Sequence, residues 1–287
     1  MTLEVAIPDT TLQSATGLRE KTTLVGQIAR ALAIFRVERV IVYETGLLRP
    51  EDSQDTEVLV RLLRFMDTPQ YLRRRVFPRS PSLRYAGLLP PLRTRSHPLE
   101  SDPSKLRPGD IRWGIGVGHG KVDVGLRELV DVDVPVNSHE PTLFRVDAVH
   151  PRILLRPVRR EEVQFYFGFE VVRVSDLVQW LRKFPDAVRV AMSRRGAPFS
   201  SVIEGILGSA VSCRHLIAVF GGPRHGIAEI FSRRSTGIQS VVDYWVNTIP
   251  SQGTETVRLE EAIIASLALL NNTLGRIVAL PGYYDIH

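Results

Sequence analysis

The sequence predicts an α/β fold interrupted by a small OB-like β-barrel, and three observations carry that prediction. Short apolar strands alternate with amphipathic helices at both ends of the chain, the pattern of a parallel sheet covered by helices. Between about 106 and 158 the helical period vanishes and five glycine-punctuated strand candidates follow one another. The composition agrees: 287 residues at 44% hydrophobic and 24% charged suit a folded globular chain and exclude general disorder.

Taken in order, residues 3–8 read as a buried strand. After a polar loop a helix is expected over about 17–35, with Val25, Ile28, Ala29 and Leu32 on one face. Residues 37–43 form a second strand, and a helix from about 53 places Val58, Leu59, Leu62, Leu63 and Met66 at helical spacing. The inserted segment supplies strands at 113–118, 121–125, 130–136, 143–149 and 153–158, a number and length that suit the barrel. In the run from Gly114 to Gly120 the glycines fall at every second position with no helical pattern behind them. It reads as a twisted hairpin and not as a dinucleotide fingerprint. After Gly168 the α/β pattern resumes, with Phe165, Tyr166, Phe167 and Phe169 packing the returning strand. Ser175 is placed to cap a helix carrying Leu177, Trp180, Leu181 and Phe184. Further strands are expected at 188–192, 216–220 and 241–247, and helices at about 201–210 and 255–270. The boundaries that follow are 1–97 and 165–287 for the two halves of the α/β domain and 98–164 for the barrel.

Charge narrows the partner class. Of 37 basic residues 33 are arginine, and the formal net charge is +6. Guanidinium groups bind phosphate through two parallel N–H bonds and stack on bases, so nucleic acid is the expected partner. From 68 to 99 there is no acidic residue, while Arg73, Arg74, Arg75, Arg79, Arg84, Arg93 and Arg95 occur with Tyr71, Phe77 and Tyr85 among them. That stretch is read as an RNA-binding strap, and its six prolines argue against long helices within it. The longest strongly apolar run, 262–270, is far short of the roughly 20 residues that cross a bilayer. Met1-Thr2-Leu3-Glu4 lacks the pattern of a signal peptide, so a cytoplasmic chain is expected. A single cysteine, Cys213, excludes an internal disulfide and any Cys-pair zinc site.

Two loops at the expected carboxyl ends of strands hold the candidate chemistry, where open α/β sheets bind ligands. They are 220–226 (FGGPRHG) and 247–256 (NTIPSQGTET), and neither matches a Walker loop, a nucleophile elbow or a His-Glu zinc motif. The string running from Asn247 through Pro250, Gln252, Gly253, Thr254, Thr256, Arg258, Glu260 and Glu261 to Ala262 resembles the SPOUT class of RNA methyltransferases. So do Leu18-Arg19-Glu20-Lys21-Thr22, the 71–75 segment YLRRR and the 85–94 segment YAGLLPPLRT. The likeness is to the archaeal and eukaryotic uridine-N3 branch, and it spans nearly the whole chain. It implies a carboxy-terminal trefoil knot, a rare feature that periodicity alone would never suggest. It also implies S-adenosylmethionine as methyl donor, ribosomal RNA as partner, a homodimer and no metal. Carried over by position, the cofactor pocket would comprise Phe220, Gly221, Gly222, Gly226, Asn247, Ile249, Pro250, Gln252, Gly253, Thr254 and Thr256, the last near the methionine part. For the acceptor step the resemblance implies Arg19, Arg258 and Glu260, with Glu20, Lys21 and His225 as further candidates. Two alternatives stay open: a methyltransferase for another base atom or a ribose 2'-hydroxyl, and a non-catalytic RNA-binding protein.

Overall fold

The computed structural model describes residues 2–213, 215–232 and 237–275. In chain order its elements are β1 (Thr2–Pro8), α1 (Leu18–Ile34), β2 (Arg39–Tyr43), α2 (Asp55–Asp67), α3 (Gln70–Val76), β3 (Ile111–Gly118), β4 (Lys121–Asp123), β5 (Val130–Asp131), β6 (Thr142–Ala148), β7 (Leu154–Val158), β8 (Glu170–Val174), α4 (Leu177–Arg182), β9 (Val188–Pro198), α5 (Phe199–Cys213), β10 (His215–Phe220), α6 (Ile227–Ser232), β11 (Tyr244–Asn247) and α7 (Leu259–Leu274). No helix among the described residues is long and apolar enough to cross a membrane.

The chain divides into two compact units: Met1–Leu63, Tyr85–Pro90 and Phe169–His287 in the first, Arg64–Arg84 and Pro91–Gly168 in the second. These limits differ from the sequence-based ones, because residues 64–84 and 91–97, with most of the strap, group with the inserted strands.

The first unit is a parallel sheet ordered β11-β9-β10-β1-β2-β8. Strands β1 and β10 are buried almost throughout, as central parallel strands covered on both faces must be. Helix α1 turns Leu24, Val25, Ile28, Ala29 and Leu32 inward. At Gly26 a Cβ would stand 2.9 Å from Pro90 Cδ, so this glycine lets the returning 85–90 segment lie against the helix. Helix α4 is capped by Asp176 and not by Ser175: the Asp176 carboxylate accepts the Gln179 N–H at 3.1 Å. Helix α7 starts at Leu259, later than expected, where Glu261 accepts the Arg258 N–H at 2.9 Å and fixes the first turn.

Strand β9 runs six residues past its expected end. Its pairing with β11 jumps from Trp245↔Ala191 to Val246↔Ala197, so residues 192–196 leave the ladder as a wide bulge. Gly196 makes the crossing possible, since a Cβ there would stand 2.5 Å from the Val246 nitrogen.

The second unit contains the five expected strands as an antiparallel sheet ordered β5-β4-β3-β6-β7. It is not closed into a barrel. β5 and β7 are its two edges, and with only two residues in β5 and three in β4 that side is too short to reach round. Val122, Val124, Val130 and Phe144 form its core. A Cβ at Gly114 would fall within 3 Å of Val122, Val124 and Phe144, so the alternating glycines serve packing. His119 and Gly120 both have positive φ, the two-residue turn a tight hairpin needs. The strap forms a short helix, α3, directly after Pro69, where a proline fits. Tyr71 fastens it by donating its hydroxyl to the Trp113 carbonyl at 2.7 Å, with its ring in the space a side chain at Gly125 would need.

Candidate active site

The carboxyl ends of β10 and β11 and the middle of β9 converge on a pocket of about 290 Å³, walled by three backbone segments. The first is the 220–226 loop. A Cβ at Gly221 would stand 2.9 Å from the Ile227 nitrogen, and one at Gly222 2.7 Å from Thr10 Oγ1, so the turn tolerates no side chains there. The Gly222 N–H closes it onto the His225 carbonyl at 2.8 Å. From below, the buried Tyr43 donates its hydroxyl to the Phe220 carbonyl at 2.7 Å. Burial pushes that phenol far above its usual range, so it stays a donor.

The second wall is the loop after β11 and the start of α7. Asn247 organises it, with Oδ1 accepting the Ile249 N–H at 3.0 Å and Nδ2 donating to the Arg194 carbonyl at 3.1 Å. Gln252 donates to the carbonyls of Thr254 and Glu255. Thr248 and Ser266 share a hydroxyl hydrogen bond of 2.8 Å.

The third wall carries no motif in the sequence: it is the β9 bulge, which contributes Met192, Ser193, Arg194 and Arg195. The Arg194 guanidinium donates to the Glu255 carbonyl at 3.1 Å, tying this wall to the second. Arg195 faces Glu229 at 3.4 Å, and Glu229 also accepts the Gly226 N–H at 3.2 Å.

The structure thus brings together Phe220, Gly221, Gly222, Gly226, Asn247, Ile249, Gln252 and Thr256. Pro250, Gly253 and Thr254 lie off the wall, and Thr254 donates to the Thr256 carbonyl. Arg19 is exposed on the first turn of α1 and does not line the pocket. Arg258 and Glu260 do not line it either, though Val257 and Leu259 beside them do. One Glu260 carboxylate oxygen is buried without a hydrogen-bond partner. Glu20 is engaged by the Thr16 N–H and hydroxyl, which hold its carboxyl below the usual range. Lys21 is paired with Asp55 at 2.6 Å. His225 is half-buried and off the wall.

The strap arginines, all in the second unit, serve different ends. Arg73 is turned inward: its guanidinium donates to the Thr68 and Met66 carbonyls and lies over Phe65, and burial lowers its pKa to about 10. Arg75 pairs with Asp123 at 2.9 Å, and Arg95 stacks on Phe165 at 4.8 Å. Arg74, Arg79, Arg84 and Arg93 are exposed. The turn bearing Arg93 and Arg95 is held by His97, whose Nε2 bonds the Met66 carbonyl at 3.0 Å while Nδ1 meets Thr94 and Ser96.

The chain has relatives among known proteins. The chain is 32% identical over 296 residues to an uncharacterized protein of Halobacterium salinarum, covering 95% of this chain and all of that one. It is 30% identical over 303 residues to the human 28S rRNA (uridine-N(3))-methyltransferase, covering 94% of this chain and 77% of that protein. A solved SpoU methyltransferase, AviRb of Streptomyces viridochromogenes in complex with AdoMet, aligns over 96% of this chain and 58% of that one. At 13% identity and a TM-score of 0.37 that likeness is too slight to define the fold. The model of one family, described as "Putative RNA methyltransferase", matches residues 2–270. By that match the chain belongs to this RNA methyltransferase family.

Proposed function

We propose that the protein transfers a methyl group from S-adenosylmethionine to N3 of a uridine in ribosomal RNA. The observation that carries the reading is the pocket between the β9 bulge and the ends of β10 and β11, in a chain of an RNA methyltransferase family. Its residues fit the cofactor: Ile227, Val257, Leu259 and Ala262 supply an apolar slot, and the turn at Gly221 and Gly222 walls it with backbone that carries no side chain. When bound, the cofactor supplies a methyl group on a sulfonium. The chain's part is then to hold the acceptor in line with it, a contribution on the order of 7–11 kcal/mol. The naming of the human relative as a 28S rRNA (uridine-N(3))-methyltransferase supports the choice of RNA and atom.

The reading extends to a trefoil knot around α7 and to a homodimer whose second subunit meets the open rim of the pocket. Within it Arg19, exposed on α1 and without a side-chain partner among the described residues, is a cation offered to the acceptor from outside the pocket wall. Arg258 is the second choice. The second unit, OB-like in strand number, holds the RNA through the exposed strap arginines.

Calorimetry with S-adenosylmethionine, without added metal, should give saturable one-site binding. Mass spectrometry of nucleosides from ribosomal RNA treated with the protein should reveal N3-methyluridine. Absence of cofactor binding would sink the enzymatic reading in favour of a non-catalytic RNA binder, and a methylated ribose would redirect the acceptor. Arg19→Ala should lower single-turnover methylation by about 10²–10³ while leaving cofactor affinity and melting temperature near wild type.

A further inference from the structure

Glu229 is the one acidic residue among the described residues lining the pocket, and no histidine, lysine, cysteine or tyrosine lines it. Its side chain is 47% exposed and so open to an incoming substrate. Oε1 faces Arg195 Nη2 at 3.4 Å, and Oε2 accepts the Gly226 N–H at 3.2 Å. The other charges on the walls are Arg194, held by the Glu255 carbonyl, and the exposed Arg224.

A uracil ring presents along one edge a carbonyl oxygen, the N3–H and a second carbonyl oxygen. Arg195 and Glu229 together present the complement, an N–H donor beside a carboxylate. Resting on the uridine-N3 reading above, we infer that Glu229 accepts the N3 proton and that Arg195 holds the neighbouring carbonyl oxygen, on which negative charge then gathers.

The N3–H bond breaks, its electron pair stays on N3, and the proton passes to the Glu229 carboxylate. The N3 pair forms a bond to the methyl carbon while the S–CH₃ pair returns to sulfur, so the sulfonium becomes a thioether. Glu229 then releases its proton to water. Proton and methyl group occupy the same in-plane direction at N3, so the proton must leave first. The uracil anion is therefore a separate species that needs a cation beside it, and Arg195 is in place for that.

A purely structural Glu229 would cap α6 through the Gly226 N–H and nothing more. Glu229→Gln keeps the shape and the acceptor for that N–H while removing the base. The test uses the full chain, S-adenosylmethionine and large-subunit ribosomal RNA transcribed with either uridine or 5-fluorouridine, whose N3–H is more acidic. Cofactor affinity of the variant should stay within about threefold of wild type. Its single-turnover rate on uridine RNA should fall about 10²–10³. On 5-fluorouridine RNA the deficit should shrink to less than about tenfold, and on uridine RNA the variant's rate should climb steeply from pH 7 to 9 where wild type changes little. A variant within about fivefold of wild type, or one equally impaired on both RNAs at every pH, overturns the assignment. The wild-type product separates this from the reading it rests on. N3-methyluridine made at full rate by the variant overturns only the role of Glu229, whereas another methylated nucleoside made by wild type overturns the acceptor and this role with it.

Discussion

Gly226 and Gly253 belong to the two loops that the sequence marks out, yet a side chain added at each meets different surroundings. Gly226 lines the pocket and has nothing within 4 Å of an added Cβ, so Gly226→Val would stand in the space a ligand needs without straining the protein. It should weaken S-adenosylmethionine binding at least about tenfold by calorimetry with the melting temperature held. Gly253 is equally open but off the wall, and Gly253→Val should bind the cofactor like wild type. The sequence could mark both loops because glycine and proline punctuate them, but it could not say which residue of the 247–256 loop turns inward. His97 makes a second prediction at this scale. Burial, first, and the nearby Arg73 push its pKa down to about 4, opposed by its bond to the Met66 carbonyl, so the folded state favours the neutral ring. The unfolded chain takes up the proton near pH 6.5, the folded one only near 4, so the stability His97 confers is complete above about pH 6.5. It declines as pH falls between those values, by at most about 3 kcal/mol. Thermal melts between pH 7 and 4.5 should record that decline, and His97→Gln should flatten it.

The β9 bulge is the element that periodicity could not reveal. Residues 188–192 read as a strand and the next five carry no helical or alternating signal, so nothing in the sequence assigns Arg194 and Arg195 to the pocket. Only the jump in pairing with β11 exposes them as a wall. Gly196→Ala tests that crossing: its methyl would press on the Val246 backbone, which cannot yield as a side-chain tip can. A loss of about 1–3 kcal/mol in denaturant unfolding is expected, together with weaker cofactor binding. The parallel sheet itself was legible, because its strands are short apolar runs separated by amphipathic helices. The barrel was legible only as strands. Whether a sheet closes depends on strand lengths and stagger, and β4 and β5 are shorter than their apolar patterning suggested. Helix α3 was obscured by its flanking prolines, which bound a helix from outside as readily as they forbid one within.

Across the whole molecule the charge is divided unevenly. The second unit carries eighteen basic residues against twelve acidic, whereas the first has nineteen of each, so the entire net charge of +6 falls on the strap and inserted sheet. That partition could be anticipated in kind from the acid-free stretch, but the division of labour among its arginines could not, since Arg73 and Arg74 are adjacent in sequence and opposite in exposure. Replacing Arg74, Arg79 and Arg93 together with alanine should reduce the slope of log affinity against log salt by about two for single-stranded RNA, measured by fluorescence anisotropy. Arg73→Ala should instead destabilise the second unit, because it strips donors from the Thr68 and Met66 carbonyls. The topology also sets a timetable for the ribosome. Strand β1 lies between β2 and β10, so one of its two neighbours is translated more than 200 residues after it. At about 5–20 residues per second that partner arrives roughly 10–40 s later. The second unit, complete once Gly168 has emerged, can pack during the interval, while the amino-terminal strand waits with one edge unpaired. Nascent chains of this protein can therefore carry a basic, packed unit while the parallel sheet is still incomplete.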